Sequence, residues 1–208
     1  MPNTAQTEPS MNYEVLICTY NGASFILEQV YSILGQEPAP RRILISDDGS
    51  TDATLDILEQ IAHTSDVPIE IIEGPGEGVV ANVLSALPQT RADYVFLSDQ
   101  DDIWLDEKVA LFQTRMRATD EPHLIFSDAW VWHPEREQRH SFWELDRLLP
   151  ANARDPRKLA FYNTVQGASA CVNRALIERL KTDPRIVMHD WWLALIASSL
   201  GQVSVIDQ

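Results

Sequence analysis

The chain has 208 residues, a formal charge of −15 and 45% hydrophobic residues. That length and apolar content suffice for one α/β domain with a substantial core. The acidic balance excludes nucleic acid as a partner, because a phosphate backbone needs basic surface, and argues against electrostatic adhesion to anionic lipid.

Residues 1–11 are polar, with two prolines, and read as a disordered lead-in to a single domain over 12–208. The N-terminus lacks a basic-then-apolar leader pattern, and no run of 18 apolar residues offers a transmembrane segment. Residues 13–19 form an apolar run closed by the turn signal Asn21-Gly22 and predict the first strand. Phe25, Leu27, Val30, Ile33 and Leu34 recur at roughly helical spacing and predict a helix, which Pro38 and Pro40 end. Residues 42–46 predict a second strand, and Thr51 or Asp52 is placed to cap the helix carrying Leu55, Leu58 and Ile61. A third strand over 68–72, a glycine-rich loop over 74–78, a helix with Val79, Val83 and Leu87, and a fourth strand over 93–98 follow. Strands alternating with helices predict a mainly parallel α/β sheet flanked by helices.

The second half is less regular. Residues 109–117 predict a helix and 124–127 a strand, while 133–158, rich in charged, aromatic and proline residues, resemble an elaborated loop or lid. Gly167 within 161–172 suggests a strand passing close to a ligand. Helices over 174–180 and 190–200 and a strand over 201–206 complete the pattern. Cys18 and Cys171 sit in apolar runs and read as reduced thiols of a cytosolic protein.

Three segments carry chemistry. Asp99-Gln100-Asp101-Asp102 follows the apolar run 94–98, and three carboxylates at one strand end repel one another. A cation that joins them relieves this, and hard divalent ions such as Mg²⁺ and Mn²⁺ bridge protein carboxylates to phosphates. The C-terminal end of a parallel strand is also where α/β proteins bind ligands. The competing reading is a solvated acidic turn in which Asp102 or Asp106 caps the next helix. Thr19-Tyr20-Asn21-Gly22 and Asp47-Asp48-Gly49-Ser50 end strands one and two, so three clusters should open on one rim. A carboxylate after strand two suits a ribose hydroxyl or a base N–H. Neither a Gly-x-Gly-x-x-Gly turn nor a Gly-x-x-x-x-Gly-Lys-Ser/Thr loop is present, which disfavours dinucleotide and phosphate-loop NTPase folds. Asp190 precedes an apolar helix, where N-capping is its simplest role. Trp191 and Trp192 cannot both face the core from adjacent helical positions. Arg136, Arg139 and Arg147 read as a solvated charged loop.

The segments 18–22, 46–52 and 97–104, with Gly78-Val79 and Asn82 between them and Gln166-Gly167-Ala168 and Met188-His189-Asp190-Trp191-Trp192 after them, resemble the family 2 glycosyltransferases over roughly residues 12–207. The Ser-Asp-Gln-Asp-Asp and His-Asp-Trp-Trp forms look most like the bacterial rhamnosyltransferase-type members. The resemblance implies a GT-A fold, with a nucleotide-binding half over about 12–105 and an acceptor-side half over about 106–208. It implies that Thr19, Tyr20, Asn21, Asp47 and Asp48 line the nucleoside and that Asp99 and Asp101 form the Asp-x-Asp motif. Asp101 would be the most direct ligand of Mg²⁺ or Mn²⁺, Asp99 would face the ribose or the metal, Asp102 would orient the donor sugar, and Gly167 would approach the ligand. Asp190 matches the family's general base.

The implied activity is inverting, metal-dependent transfer of a sugar, L-rhamnose by subgroup, from a dTDP- or UDP-sugar to a hydroxyl. The implied acceptor is a surface-polysaccharide or lipid-linked glycan, met at the inner face of the cytoplasmic membrane through peripheral association. Two other readings stand beside it. One is a non-catalytic nucleotide-sugar-binding or assembly subunit. The other is a nucleotidyltransferase, whose basic glycine-rich loop after strand one is not matched by Asn21-Gly22-Ala23-Ser24. Members of the subgroup usually continue beyond the point matching Asp207 with a histidine-bearing segment, and Gln166 stands where a smaller or apolar residue is frequent.

Overall fold

The computed structural model describes residues 11–133 and 138–207. The lead-in expected over 1–11 lies outside them except for Met11, which packs against the core, and Arg136 also lies outside.

Seven strands form one sheet: β1 (Tyr13–Thr19), β2 (Ile43–Asp47), β3 (Ile69–Glu73), β4 (Tyr94–Ser98), β5 (His123–Ser127), β8 (Ala170–Asn173) and β9 (Gln202–Ile206). Their order is β3-β2-β1-β4-β8-β5-β9. β1 runs parallel to β2 and β4, and β2 parallel to β3. The register sets Thr19 beside Asp47 and Ile17 beside Ser98, so the loops after β1, β2 and β4 open on one rim. β2 and β4 are buried throughout, as central parallel strands covered on both faces must be.

The period of two divides β1 between two cores. Tyr13, Val15 and Ile17 pack with Ile26, Val30, Ile33, Leu58 and Phe112. Leu16 on the other face packs with Val83, Leu193 and Ala197. Helix α1 (Ile26–Leu34) buries Ile26, Gln29, Val30 and Ile33, an i, i+3, i+4, i+7 stripe. Phe25 and Leu27, expected on that stripe, are exposed. Helices α2 (Thr54–Thr64), α3 (Val79–Ala86) and α4 (Lys108–Gln113) follow. Asp52, one residue ahead of the formal cap Ala53, accepts the Thr54 N–H at 3.0 Å.

The sheet is mainly parallel, as expected, with one strand reversed. β8 is antiparallel to both β4 and β5, while β5 and β9 are parallel. The chain leaves the rim after β5, builds structure above it, and descends between β4 and β5. The span 161–172 is therefore not one strand: Gly167–Ser169 is a 3₁₀ turn at the rim, and only Ala170–Asn173 pairs. The expected lid contains the hairpin β6 (Trp130–His133) and β7 (Gln138–Ser141), then the short helices α5 (Phe142–Leu145) and α6 (Pro156–Leu159). Asp128 fastens the hairpin base, accepting from Ala129 N at 2.8 Å, Trp143 N at 3.0 Å and the Ser141 hydroxyl. Helices α7 (Arg174–Glu178) and α8 (His189–Leu200) flank β8 and β9.

Two buried polar groups lock the base of the sheet. Arg42 is ion-paired with Glu14 at 2.9 Å and with Glu70. His123, only 1% exposed, lies between the Tyr94 hydroxyl at 2.8 Å and the Ser204 hydroxyl at 2.9 Å. Burial, with a smaller push from Arg117, pulls its imidazole down to about 4. The unfolded chain takes up a proton near the ordinary histidine value of about 6.5, which the folded chain refuses until about 4. This contribution to stability is present above 6.5 and is lost as pH falls towards 4. We expect wild type to lose up to about 3 kcal/mol more than His123→Gln between pH 7 and pH 4. Urea midpoints of the two proteins across that range check this; parallel curves would remove His123 as the cause.

Candidate active site

The rim acids divide by what their oxygens do. Asp47 is consumed internally: it accepts the Thr19 hydroxyl at 2.8 Å, Ser50 N at 2.8 Å, Gly49 N at 3.2 Å and the Ser50 hydroxyl at 2.6 Å. Thr19 and Asp47 are 2% and 5% exposed, so both expected nucleoside contacts form the floor of the loop. Asp48 accepts Gly76 N and Gly78 N, each at 2.7 Å, and holds the loop after β3. One lone pair on each of its oxygens remains. Gly74 must stay bare, since a Cβ there would lie 2.8 Å from both Asn82 Oδ1 and Asp48 Oδ1. Asn82 in turn donates to the Ser46 carbonyl at 2.9 Å.

The β1 loop is pinned from both sides. Asn21 has φ +50 and accepts Thr51 N at 2.8 Å, while Gly22 N donates to Thr54 Oγ1 at 2.8 Å. The Gln100 amide accepts from Tyr20 N at 3.0 Å and donates to Tyr20 O at 3.2 Å. A Cβ on Gly22 would overlap that amide. The Tyr20 ring remains 57% exposed on the rim.

Asp99, Asp101 and Asp102 differ from the other rim acids. Among the described residues none of their carboxylate oxygens accepts a hydrogen bond. Neither Asp102 nor Asp106 caps α4, whose first turn has no side-chain cap, so the simple capping explanation fails. Burial first, then the charges of Asp102, Asp101 and Asp190, push the Asp99 carboxyl up to about 6 although the residue keeps an exposed side. Burial also raises Asp102, against the pull of Lys108. Beneath them the Cys18 thiol is driven up by burial and by Asp99 and Asp48, and stays protonated. Both cysteines are free, Cys171 buried and Cys18 partly so.

Asp190 reaches the same field from the other half of the chain. It is 5% exposed and sits in the first turn of α8, past the formal cap Met188, so it is not the N-cap. Its oxygens accept Trp191 N at 2.6 Å, Asn163 Nδ2 at 3.2 Å and Gly167 N at 3.1 Å. Gly167 therefore holds the acid. A Cβ there would lie 2.7 Å from His189 Nε2. Burial pulls the His189 imidazole down against Asp190. The indoles of Trp191 and Trp192 donate to Leu159 O at 2.6 Å and Lys181 O at 3.0 Å, so both brace the acceptor-side loops. Trp104 is core, 5.2 Å from Phe96, whereas Trp130 and Trp132 are exposed and Arg139 lies 4.7 Å over Trp130.

Sequence reasoning did not single out Asn163, the Gln100 clamp or Lys108. Lysine after an acidic run ordinarily reads as solvated. Here its ammonium lies 4.1 Å over the Trp104 ring and donates to Ala168 O at 3.0 Å.

No three His, Cys, Asp or Glu among the described residues converge enough to chelate a cation alone. Asp99 and Asp101, with free oxygens and mutual repulsion, suit a divalent cation whose remaining ligands are diphosphate oxygens and water.

This mixed sheet, with a polar loop after β1 and acidic loops after β2 and β4 on one rim, is a GT-A fold, the class of nucleotide-sugar-dependent transferases. Solved structures of that class superpose on nearly the whole chain. A mannosyltransferase from Pyrobaculum calidifontis, in complex with GDP-Man and Mn²⁺, matches at TM-score 0.70 and 22% identity, covering 95% of this chain and 56% of that one. S. aureus TarS 1-349 in complex with UDP-GlcNAc matches at TM-score 0.65 and 18% identity, covering 94% and 56%. The chain belongs to glycosyl transferase family 2, whose profile matches residues 14–172. Among curated relatives, a dTDP-rhamnosyl transferase of Shigella flexneri, RfbG, is 36% identical over 99 residues, 45% of this chain and 34% of its own. A putative teichuronic acid biosynthesis glycosyltransferase of Bacillus subtilis, TuaG, is 35% identical over 98 residues, 46% of this chain and 38% of its own. The matches thus span little more than a third of these relatives.

Two outcomes follow from the geometry, both read by thermal unfolding without metal at pH 7.5. Asp99→Asn relieves the crowded charge and raises stability by about 1 kcal/mol after solvent screening, about 2–4 °C. Gly167→Ala forces His189 aside and lowers stability by about 1–3 kcal/mol.

Proposed function

We propose that this chain is the catalytic domain of an inverting, metal-dependent glycosyltransferase. It moves a sugar from a nucleotide diphosphate donor to a hydroxyl of a glycan acceptor. The observation that carries this reading is the pairing on one rim of hydrogen-bond-free Asp99, Asp101 and Asp102 with the fully anchored Asp190. The first three suit a cation and a diphosphate. The fourth suits a proton.

Asp48 and the exposed Tyr20 ring face the nucleoside, over a floor built by Thr19, Asn21 and Asp47. Asp101 and Asp99 hold Mg²⁺ or Mn²⁺, and Asp102 orients the donor sugar. The bound ion supplies Lewis-acid stabilisation of the departing diphosphate. Asp190 takes the proton of the acceptor hydroxyl as that oxygen attacks the anomeric carbon, a contribution of about 10²–10⁴-fold. Attack from the side opposite the diphosphate inverts the anomeric centre, and no covalent nucleophile is needed. Similarity to a dTDP-rhamnosyl transferase supports dTDP-L-rhamnose as donor. Similarity to a teichuronic acid enzyme supports a surface-polysaccharide acceptor. Among the described residues no helix is long and apolar enough to cross a membrane; in our reading a lipid-linked acceptor is met by peripheral association at the cytoplasmic face.

Thermal shift against nucleotides and nucleotide sugars, with and without Mn²⁺, tests the donor site. A ligand at 100 Kd stabilises the fold by about 2.7 kcal/mol, and Asp101→Ala abolishes the metal-dependent part. Asp190→Asn keeps the donor shift and lowers turnover about 10²–10⁴-fold. Unchanged transfer in Asp190→Asn removes it as the base, and no shift with any nucleotide overturns the donor site.

A further inference from the structure

We infer that Lys108 is a positioning residue that joins the donor and acceptor halves of this site, tying the turn that anchors Asp190 to the acidic end of β4. The inference rests on the transferase reading.

Lys108 opens α4, directly after the acidic loop. Its ammonium is enclosed on three sides. The Trp104 ring lies 4.1 Å beneath it and the Ala168 carbonyl accepts from it at 3.0 Å, while burial pulls the ammonium down to about 8 against the charges of Asp102 and Asp99, which favour it. Two features make this more than a surface contact. First, Ala168 adjoins Gly167, whose N–H holds Asp190 at 3.1 Å, so the lysine grips the same 3₁₀ turn as the proposed base. Second, Lys108 makes no contact ion pair with Asp99, Asp101 or Asp102; the described ion pairs involve Arg42, Arg157 and Arg185. Its field offsets their repulsion while their oxygens stay free for a cation.

The consequence is a trade. The positive charge weakens the pull of the acids on a divalent ion, and in exchange the gap between the diphosphate end and Asp190 is fixed. A lysine that only packed would affect neither metal affinity nor the separation of kcat from KM. Misplacement by about 1 Å costs about 10²-fold in rate.

The test measures Mn²⁺ affinity in the presence of dTDP, by electron paramagnetic resonance of the free ion, and steady-state transfer for wild type, Lys108→Met and Lys108→Arg. Lys108→Met is expected to bind Mn²⁺ about ten-fold more tightly and to lose about 10²-fold in kcat with donor KM within about three-fold. Lys108→Arg is expected to restore wild-type Mn²⁺ affinity and part of kcat. If Lys108→Met does not fold, Lys108→Gln carries the same expected tightening of Mn²⁺. Wild-type Mn²⁺ affinity and kcat in the neutral variant would overturn the inference, as would a loss confined to KM and equal in Met and Arg. A wild-type chain that binds no Mn²⁺ and transfers no sugar would overturn the functional reading, and with it this role.

Discussion

Like charges crowded at the end of one buried strand are the constraint around which this molecule is organised. β4 is buried throughout and paired with β1 as far as Ser98, so it delivers Asp99 and the acids that follow to a fixed place on the rim. Among the described residues the carboxylates of Asp99, Asp101 and Asp102 accept no hydrogen bond, while Asp47 and Asp48 on the same rim are both bonded. Asp47 takes four bonds and Asp48 two backbone N–H groups. Selective satisfaction of this kind separates acids that shape loops from acids whose oxygens are left free. It also places a local cost on the empty protein, as expected where function outranks stability.

The second half of the chain depends on a reversal of chain direction. Because β8 descends between β4 and β5, the turn before it arrives at the rim beside Asp99, Asp101 and Asp102. Gly167 can then give its N–H to Asp190, and the first turn of α8 is drawn to the same place. A wholly parallel sheet would need a crossover at this point and would carry that turn to the opposite edge. The Trp191 and Trp192 indoles, bonded to the carbonyls of Leu159 and Lys181, keep the helix from rotating the acid away.

Much of the first half of the chain was legible in the sequence. Apolar runs ending in Asn-Gly, Asp-Asp-Gly-Ser and Asp-Gln-Asp-Asp set the strands, their direction and the shared rim, because burial and turn chemistry are local. The inward turn of Thr19 and Asp47 was not legible, since a hydroxyl and a carboxylate 28 positions apart meet only through strand register. The α1 stripe was legible only in part: Val30 and Ile33 are buried as expected, Phe25 and Leu27 are apolar yet exposed, and polar Gln29 is buried against Ser98. In the acceptor half, β8 is four residues long and antiparallel, too short for periodicity to announce its direction. Asn163 and Lys108 gave no signal, because an asparagine and a lysine in polar stretches look like solvent-facing residues until the fold closes around them.

The Gln100 amide offers one further consequence. By exchanging two bonds with the backbone of Tyr20 it acts as an extra rung of the ladder between β1 and β4, supplied by a side chain. The loops that would grip the two ends of a nucleotide sugar are thereby one rigid piece before any ligand arrives. The entropy of closing that jaw is spent during folding, once, and is not charged again at each encounter. If these loops hold a donor, as we propose, its length must match a frame whose two sides are already tied together.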